Sequence, residues 1–546
     1  MNLKGIGVSP GVAVAKVHLV RQVVIDEPIP GTSSNAIAAL VKVADDLEQR
    51  ASHVKLDVAR EVLSAQAMIA RDPSLFEAIE DQLGNSAEHS DVRPGIETAF
   101  AGFRSALESL GGYFAERVAD LDEISSRLLS KLRNEDDNGL VLNVPSVILA
   151  EDLTPADTAA LDLDYALALV VEKGGPTSHT AIVARGLGIP AIVGCVGALE
   201  IPASSDVMVD GRSGTLIVDP SVDEIEKYFA VEESFQERAA SVVGPGRLAD
   251  GSSVTLLANA GKLQDAVAAN EIGADGIGLF RTELLFLDRD TEPSVEEQVQ
   301  LYSDVFSAMS GKRVVLRTLD AGSDKPVPFI NAIHEENPAL GVRGWRLTRT
   351  ANNVLERQLD AIGIAAKNSK AEVWVMAPMI DTAQEAAEFA ERARSRGLSQ
   401  VGVMVETPAA AILADKVIAQ VDFASLGTND LTQYVMAADR LDSRLSDLTS
   451  SWHPAVLRTI SIAAKAAKQM NRPIGVCGES AANPVLAAVL LGLGVSSLSM
   501  SPTAIAEVRG YLAQIDLAAC VHAAEQVLEA SSAVEAEDIA INLLGH

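Results

Sequence analysis

The chain has 546 residues, too many for one hydrophobic core, so roughly two to four domains are expected. Hydrophobic residues make up 48% of it, which fits soluble globular domains and argues against disorder. A net charge of −31 argues against nucleic acid and anionic membranes as partners. An anionic substrate would need local arginines against that field, whereas a basic protein partner would be steered in.

Cys195, Cys477 and Cys520 are the three cysteines, and they are widely spaced. They make neither a disulfide framework nor a metal pattern, and a reducing compartment fits. Met1 to Val8 lacks a charged stretch leading into an apolar one, and the longest apolar run, Pro484 to Val495, is too short to span a bilayer. A cytoplasmic location is expected.

Residues 3–20 carry Gly5, Gly7, Pro10 and Gly11 among valines and read as short strands joined by turns. From Asn35 the apolar positions Ile37, Leu40, Ala44, Leu47, Ala51, Val54 and Val58 recur at spacings of three and four, which predicts one long amphipathic helix ended by Asp72-Pro73. A second helix is expected over 75–83 and a third from about Val92 to Leu132, making a helical bundle inserted after the first strands. Strand character returns at 141–144, 147–149, 166–171, 190–193, 207–209 and 215–218. The first strands are expected to rejoin this region, which makes the domain discontinuous. Residues 221–240 read as a polar linker helix before Gly244-Pro245-Gly246.

Within the β-rich region lies Gly174-Gly175-Pro176-Thr177-Ser178-His179-Thr180, between an apolar strand and the start of a helix at Ala181 to Arg185. A histidine at a helix N-terminus sits where exposed N–H groups and the helix dipole favour an anion. Its neutral imidazole is a nucleophile at pH 7. The functional reading is a histidine that takes and holds a phosphoryl group; the plainer one is a capping loop with an incidental histidine.

Short apolar strands then alternate with helical stretches eight times, the strands falling at 254–259, 276–280, 314–319, 373–379, 401–405, 423–426, 473–476 and 497–500. This predicts an α/β fold, a (β/α)₈ TIM-type barrel preceded by a β/α domain with an inserted helical bundle. Chemistry in such barrels sits at the C-terminal strand ends. There the sequence puts Arg281, Arg317, Glu406, Asp430 and Cys477, with Arg440 further on. The arginines can converge on one phosphate or carboxylate. Glu406 and Asp430 make a hard-oxygen pair suited to Mg²⁺, and Cys477, beside Gly478, could donate a proton. A lone strand-end arginine is often a structural ion pair and a lone cysteine usually packing, but the set at one mouth makes a joint structural origin improbable.

Those stretches also carry a resemblance. GGPTSHTAIVARGLGIPAIVG, GIGLFRTELLFLDR, RTLDAGSDK, ENPALGVRGWR, VMVETPAA, SLGTNDLTQYVMAADR and GVCGES together resemble the phosphoenolpyruvate–protein phosphotransferases, the enzyme I family of the bacterial sugar phosphotransferase system. The similarity runs from about residue 9 to residue 499. It implies a swivelling phosphohistidine domain (1–20 and 133–220), a helical insertion that binds the carrier protein HPr (21–132), a linker helix (221–245) and a phosphoenolpyruvate-binding, dimerising barrel (246–546). Phosphoenolpyruvate and Mg²⁺ would bind in the barrel, His179 would accept the phosphoryl group, and HPr would receive it. By the same resemblance Arg281, Arg317, Asn429, Asp430 and Arg440 bind phosphoenolpyruvate, Glu406 and Asp430 hold Mg²⁺, and Cys477 is the proton donor. Thr154 hydrogen-bonds the histidine, while Lys325 and Arg343 lie near the phosphate.

Two positions depart from the family pattern: Pro176 stands where many members have arginine, and Gln66 where many have histidine. A dikinase or phosphoenolpyruvate synthase shares these domains but carries a large ATP-binding one, for which the N-terminal bundle is too short. A non-catalytic phosphoenolpyruvate sensor would not need the complete set of strand-end residues.

Overall fold

The computed structural model describes the chain apart from residues 1, 21–27, 54–56, 85–87, 111–117, 134–141, 143, 154–156, 159, 160, 176, 177, 243, 287, 288, 290, 323–326, 328, 331–334, 441–444, 446, 447 and 546. Two units divide the chain, Met1–Glu232 and Glu233–His546.

The first unit is built on a sheet of eight strands: β1 (Asn2–Lys4), β2 (Ile6–Ser9), β3 (Val12–Val20), β4 (Ser146–Ala150), β5 (Ala166–Val171), β6 (Ala191–Val193), β7 (Asp206–Asp210) and β8 (Thr215–Val218). Their order is β1-β8-β7-β3-β4-β5-β6-β2. The central run β3-β4-β5-β6 is parallel, and strands buried on both faces read as continuous apolar runs rather than alternating ones. Hence Ser146–Ala150 is buried throughout and Ala166–Val171 nearly so. One face packs under the helix His179–Leu187 through Ile148, Leu169, Val171, Ala181 and Ala184. The other is closed by Val147, Leu149, Val170 and Val209. Of the strand expected at 141–144, residues 141 and 143 lie outside the described residues, and Leu142 and Val144 are not in a strand.

The helices occupy the connection between the parallel neighbours β3 and β4. The long helix expected from Asn35 to Asp72 is two, Ser33–His53 and Asp57–Ala70. They pack on each other through Val43, Leu47, Ala51, Leu63 and Ala67. Both halves bury one apolar seam of the same spacing, so the pattern carries no mark of the reversal between them. Among the described residues, the helix expected from Val92 to Leu132 is divided likewise, into Arg93–Leu110 and Val118–Leu132. Ile96 and Phe100 of the first share a core with Leu121, Ile124 and Leu128 of the second. Pro73–Leu83 is a single helix, as its pattern predicts, with Asp72 capping it and proline in its first turn.

The second unit opens with β9 (Gly246–Arg247), which pairs antiparallel with β10 (Ser253–Ala260). Then follow β11 (Gly276–Arg281), β12 (Arg313–Arg317), β13 (Glu372–Ala377), β14 (Gln400–Val405), β15 (Phe423–Leu426), β16 (Ile474–Val476) and β17 (Ser497–Met500). From β10 to β17 all neighbours are parallel, and β10 pairs with both β11 and β17, closing the barrel. The eight strands match those expected from the sequence to within a few residues. Leu279, Val315, Trp374, Met376, Met404, Phe423 and Cys477 fill the interior, as the layered core of such barrels requires. The apolar run at 484–495 is a helix of the barrel wall, Pro484–Gly492, buried on nearly every side. Among the described residues, no helix is long and apolar enough to cross a membrane.

Candidate active site

The parallel ladder sets the arginines side by side. Arg281 and Arg317 are register partners at the ends of β11 and β12, which puts both at the mouth where strand ends meet turns. Arg281 is exposed and has no ion-pair partner among the described residues. Arg317 is buried and held from two sides: its guanidinium donates to Glu283 Oε1 at 2.7 Å and lies 3.1 Å from Asp320 Oδ2. Its Nε is buried without a partner among the described residues. Burial pulls its pKa down, but the charges of Glu283, Asp320 and Glu406 outweigh that and hold it above the usual arginine value.

Arg343 is 1% exposed and joins two strands' carboxylates. It donates to both oxygens of Asp320, at 3.1 and 2.7 Å, and to both of Asp430, at 3.2 and 3.4 Å. Two-pronged bonds of this kind fix orientation as well as distance. Arg440 lies 3.6 Å from Asp430 Oδ1, its backbone N–H donating to Gln433 Oε1. One network of alternating charge therefore links Glu283, Arg317, Asp320, Arg343, Asp430 and Arg440.

Glu406, at the end of β14, is fully buried. Its Oε1 accepts from the Met379 backbone N–H at 2.7 Å, and its Oε2 has no hydrogen-bond partner among the described residues. Burial, together with the charges of Asp430 and Asp320, pushes its pKa up to about 8, against the pull of Arg317 and Arg343. Met379 presents that N–H from a left-handed backbone, φ 55°, a conformation that costs a non-glycine residue of the order of 1 kcal/mol or more and concentrates at functional sites. Gly427 makes room for the carboxylate: a Cβ there would come within 2.4 Å of Glu406 Oε2.

Asn429 and Asp430 fall in the first turn of the helix Thr428–Met436, immediately after β15. Asn429 Oδ1 accepts from the Glu479 backbone N–H at 3.2 Å. This ties that helix to the loop after β16, where a Cβ on Gly478 would collide with Thr428 Oγ1 at 1.9 Å. Cys477 is buried at the same strand end; its thiol donates weakly to the Leu426 carbonyl at 3.6 Å. Burial pushes the thiol's pKa up to about 11, with Ser425 as a hydrogen-bond partner. The group is therefore a protonated thiol at neutral pH.

The histidine of the first unit heads its own helix, His179–Leu187, with Ser178 at the N-cap accepting from the Ala181 N–H at 3.3 Å. Thr180 Oγ1 donates to Asp152 Oδ1 at 3.0 Å, tethering the helix start to the loop after β4. Thr154 and Lys325 lie outside the described residues. Sequence reasoning missed Glu283, the carboxylate behind Arg317, and Met379, whose strained N–H holds Glu406. Glu283 was within reach of it, two residues beyond Arg281 in the same strand-end stretch; the left-handed turn at Met379 leaves no mark in the sequence.

Three family models of PEP-utilising enzymes match the chain: the PEP-binding domain at residues 236–517, the mobile domain at 142–214 and the N-terminal region at 4–117. The matches cover both units and define a PEP-utilising enzyme. A phosphoenolpyruvate-protein phosphotransferase of Streptomyces coelicolor is 44% identical, over 99% of this chain and 98% of its own length. One of Haloferax volcanii is 40% identical over 88% and 86%, and one of Bacillus subtilis 33% identical over 98% of each. The chain belongs to the phosphoenolpyruvate–protein phosphotransferase family, enzyme I.

Proposed function

We propose that the chain takes the phosphoryl group of phosphoenolpyruvate onto His179 and passes it to the carrier protein HPr, the first step of sugar uptake by a phosphotransferase system. The observation that carries this reading is the barrel mouth, where Arg281 and Arg317 end neighbouring strands, Arg343 and Arg440 flank Asp430, and Glu406 keeps a buried oxygen without a partner among the described residues. In this reading Arg281, Arg317, Arg440 and Asn429 hold the phosphate and carboxylate of phosphoenolpyruvate. The guanidiniums spread the charge that develops on the phosphoryl oxygens. The bond from phosphorus to the oxygen on carbon 2 breaks as the imidazole of His179 bonds to phosphorus. The Cys477 thiol then gives its proton to carbon 3 of enolpyruvate, and pyruvate results. Glu283 and Asp320 keep the Arg317 fork oriented for its ligand.

The family uses a metal, and the residues fit one. Glu406 offers a buried oxygen with no hydrogen-bond partner among the described residues, and burial with the neighbouring charges of Asp430 and Asp320 raises its pKa to about 8, as suits a carboxylate awaiting a cation. Glu406 and Asp430 would hold the ion, and their oxygen-only chemistry favours Mg²⁺ or Mn²⁺ over zinc. When bound, Mg²⁺ supplies charge neutralisation for the phosphoryl and enolate oxygens. Among the described residues no three His, Cys, Asp or Glu side chains come together as a metal cage. Glu406→Ala is expected to raise the Mg²⁺ concentration for half-maximal activity at least tenfold, of the order of the loss of a single ion-binding carboxylate. An unchanged Mg²⁺ titration would make the carboxylate structural.

The relay requires the unit carrying His179 to visit the barrel mouth and then HPr, which docks on the helical insertion. The barrel is the unit through which two copies pair, and sedimentation of the full chain with ligand and Mg²⁺ tests that. The central experiment is labelling. Labelled phosphoenolpyruvate should mark the protein, ATP should not, and the mark should chase to HPr. Labelling by ATP would point to a dikinase instead, and a mark that never reaches HPr to a sensor.

A further inference from the structure

Beneath the active-site mouth, the barrel's interior carries a run of hydroxyls that catalysis as described does not use. Ser425, on β15, faces inward one strand from Cys477; the register pairs Ser425 with Gly475, two residues before the cysteine. The thiol's S–H is directed at the Leu426 carbonyl, and its side-chain hydrogen bond with Ser425 lowers the pKa that burial raises. Both side chains face the barrel interior on neighbouring strands, where a serine hydroxyl can donate to sulfur once the thiol has given up its proton.

Below Ser425 the interior opens into a cavity of about 20 Å³ lined by Ser425, Ser497, Ser499, Gly475, Arg313 and Trp374. That volume holds one water, and the serine hydroxyls supply the polar partners a water needs. Arg313 and Ser497 are the first residues of their strands and are half-buried, so the cavity reaches the opposite, N-terminal end of the barrel. Ser499 also donates to Asn259 Oδ1 at 2.6 Å, and Asn259 Nδ2 donates to the Cys477 carbonyl at 3.1 Å, anchoring the cysteine to the same wall. The other walls around the thiol are Leu279, Val315, Met376, Met404 and Phe423. Hydrocarbon and thioether walls relay no protons.

We propose that Ser425 is a relay residue that returns the proton to Cys477 after each turnover, drawing it through the cavity from the solvent at the N-terminal end of the barrel. This rests on the reading of Cys477 as the donor to carbon 3. Each turnover breaks the S–H bond and forms a C–H bond, leaving a thiolate. The Ser425 O–H proton then moves to sulfur while the Ser425 oxygen takes a proton from the cavity water. That water regains one from bulk solvent, so one solvent proton is consumed per pyruvate and no group changes oxidation state. The pathway is separate from the substrate mouth, so recharging does not wait for the mouth to clear.

The relay gives a signature that mere mispositioning of the thiol does not. In Ser425→Ala the cysteine still holds its first proton, so one equivalent of pyruvate should form at the wild-type rate. Later turnovers, with HPr as acceptor, should slow by about a hundredfold, the low end of a proton-transfer contribution. The trace becomes a burst followed by a slow phase in rapid-quench measurements. Ser425→Thr keeps the hydroxyl and should restore the steady rate. If Ser425→Ala turns over steadily at the wild-type rate, or loses its first turnover equally with the later ones, the relay is wrong. Cys477→Ala separates the two layers. Should that variant protonate carbon 3 in heavy water with the wild type's facial selectivity, the donor reading fails and the relay with it. Should it lose selectivity while Ser425→Ala stays wild type, the relay alone fails.

Discussion

His179→Ala should abolish phosphorylation by phosphoenolpyruvate while leaving the barrel's affinity for that ligand unchanged. The loss is expected to be complete because a methyl group offers no lone pair to phosphorus. The fold should tolerate the change. His179 is the first residue of its helix, where alanine is a good helix former. The contacts that fix the helix start belong to Ser178 and Thr180. The groups proposed to hold the ligand, Arg281 to Cys477, all lie in the other unit. Two measurements read the outcome: the amount of acid-labile, base-stable label taken up from phosphoenolpyruvate, and calorimetric titration of the ligand with Mg²⁺ present. Such label persisting in the variant would move the acceptor elsewhere. Loss of ligand binding together with loss of label would mean that the histidine contributes to the barrel's site directly.

How much of this was legible in the sequence depended on the range of the interaction that decides each feature. The barrel strands were readable because each is a short apolar run bounded by polar residues, and the strand ends carried the arginines and carboxylates. The parallel register that makes Arg281 and Arg317 neighbours follows once the strands are known. The helical bundle was read less well. A seam of apolar residues at three and four says that a helix buries one face, and says nothing about whether the chain reverses, so the single helices expected from Asn35 to Asp72 and from about Val92 to Leu132 each divide among the described residues. The site was legible in its ligand-facing members and silent in those behind them. Glu283, Asp320 and the N–H of Met379 bond to Arg317, Arg343 and Glu406, and their pairing is set by turns between strand and helix that local pattern does not encode.

Asp320 is the point at which stability and the site meet. Its side chain is fully buried between two guanidiniums, 3.1 Å from Arg317 and 2.7 Å from Arg343. Removing one partner of a buried pair leaves uncompensated charge and costs about 3–5 kcal/mol, far more than the pair contributes over a well-packed apolar replacement. Asp320→Ala takes one buried carboxylate from each of two arginines, which keep Glu283 and Asp430, so a barrel destabilised by about 3–5 kcal/mol is expected. Arg317 should also swing from its place beside Arg281. A misplacement of about 1 Å in a group that positions substrate costs about a hundredfold in rate, so kcat should fall by that factor at saturating phosphoenolpyruvate. Stability can be read on the barrel alone. The chain's three tryptophans, Trp345, Trp374 and Trp452, all lie in the second unit, so the shift of the tryptophan fluorescence transition in urea reports that unit without the first. The double variant Asp320→Leu/Arg343→Met supplies the control. It removes the charge and its partner together, so it should be less destabilised than the sum of the single variants, the mark of two residues in one network, yet stay slow because the Arg317 fork has lost one of its two carboxylates. A transition in Asp320→Ala within about 1 kcal/mol of the wild type, the ordinary range of exposed ion pairs, would show that solvent reaches the network and that its burial does not set the cost.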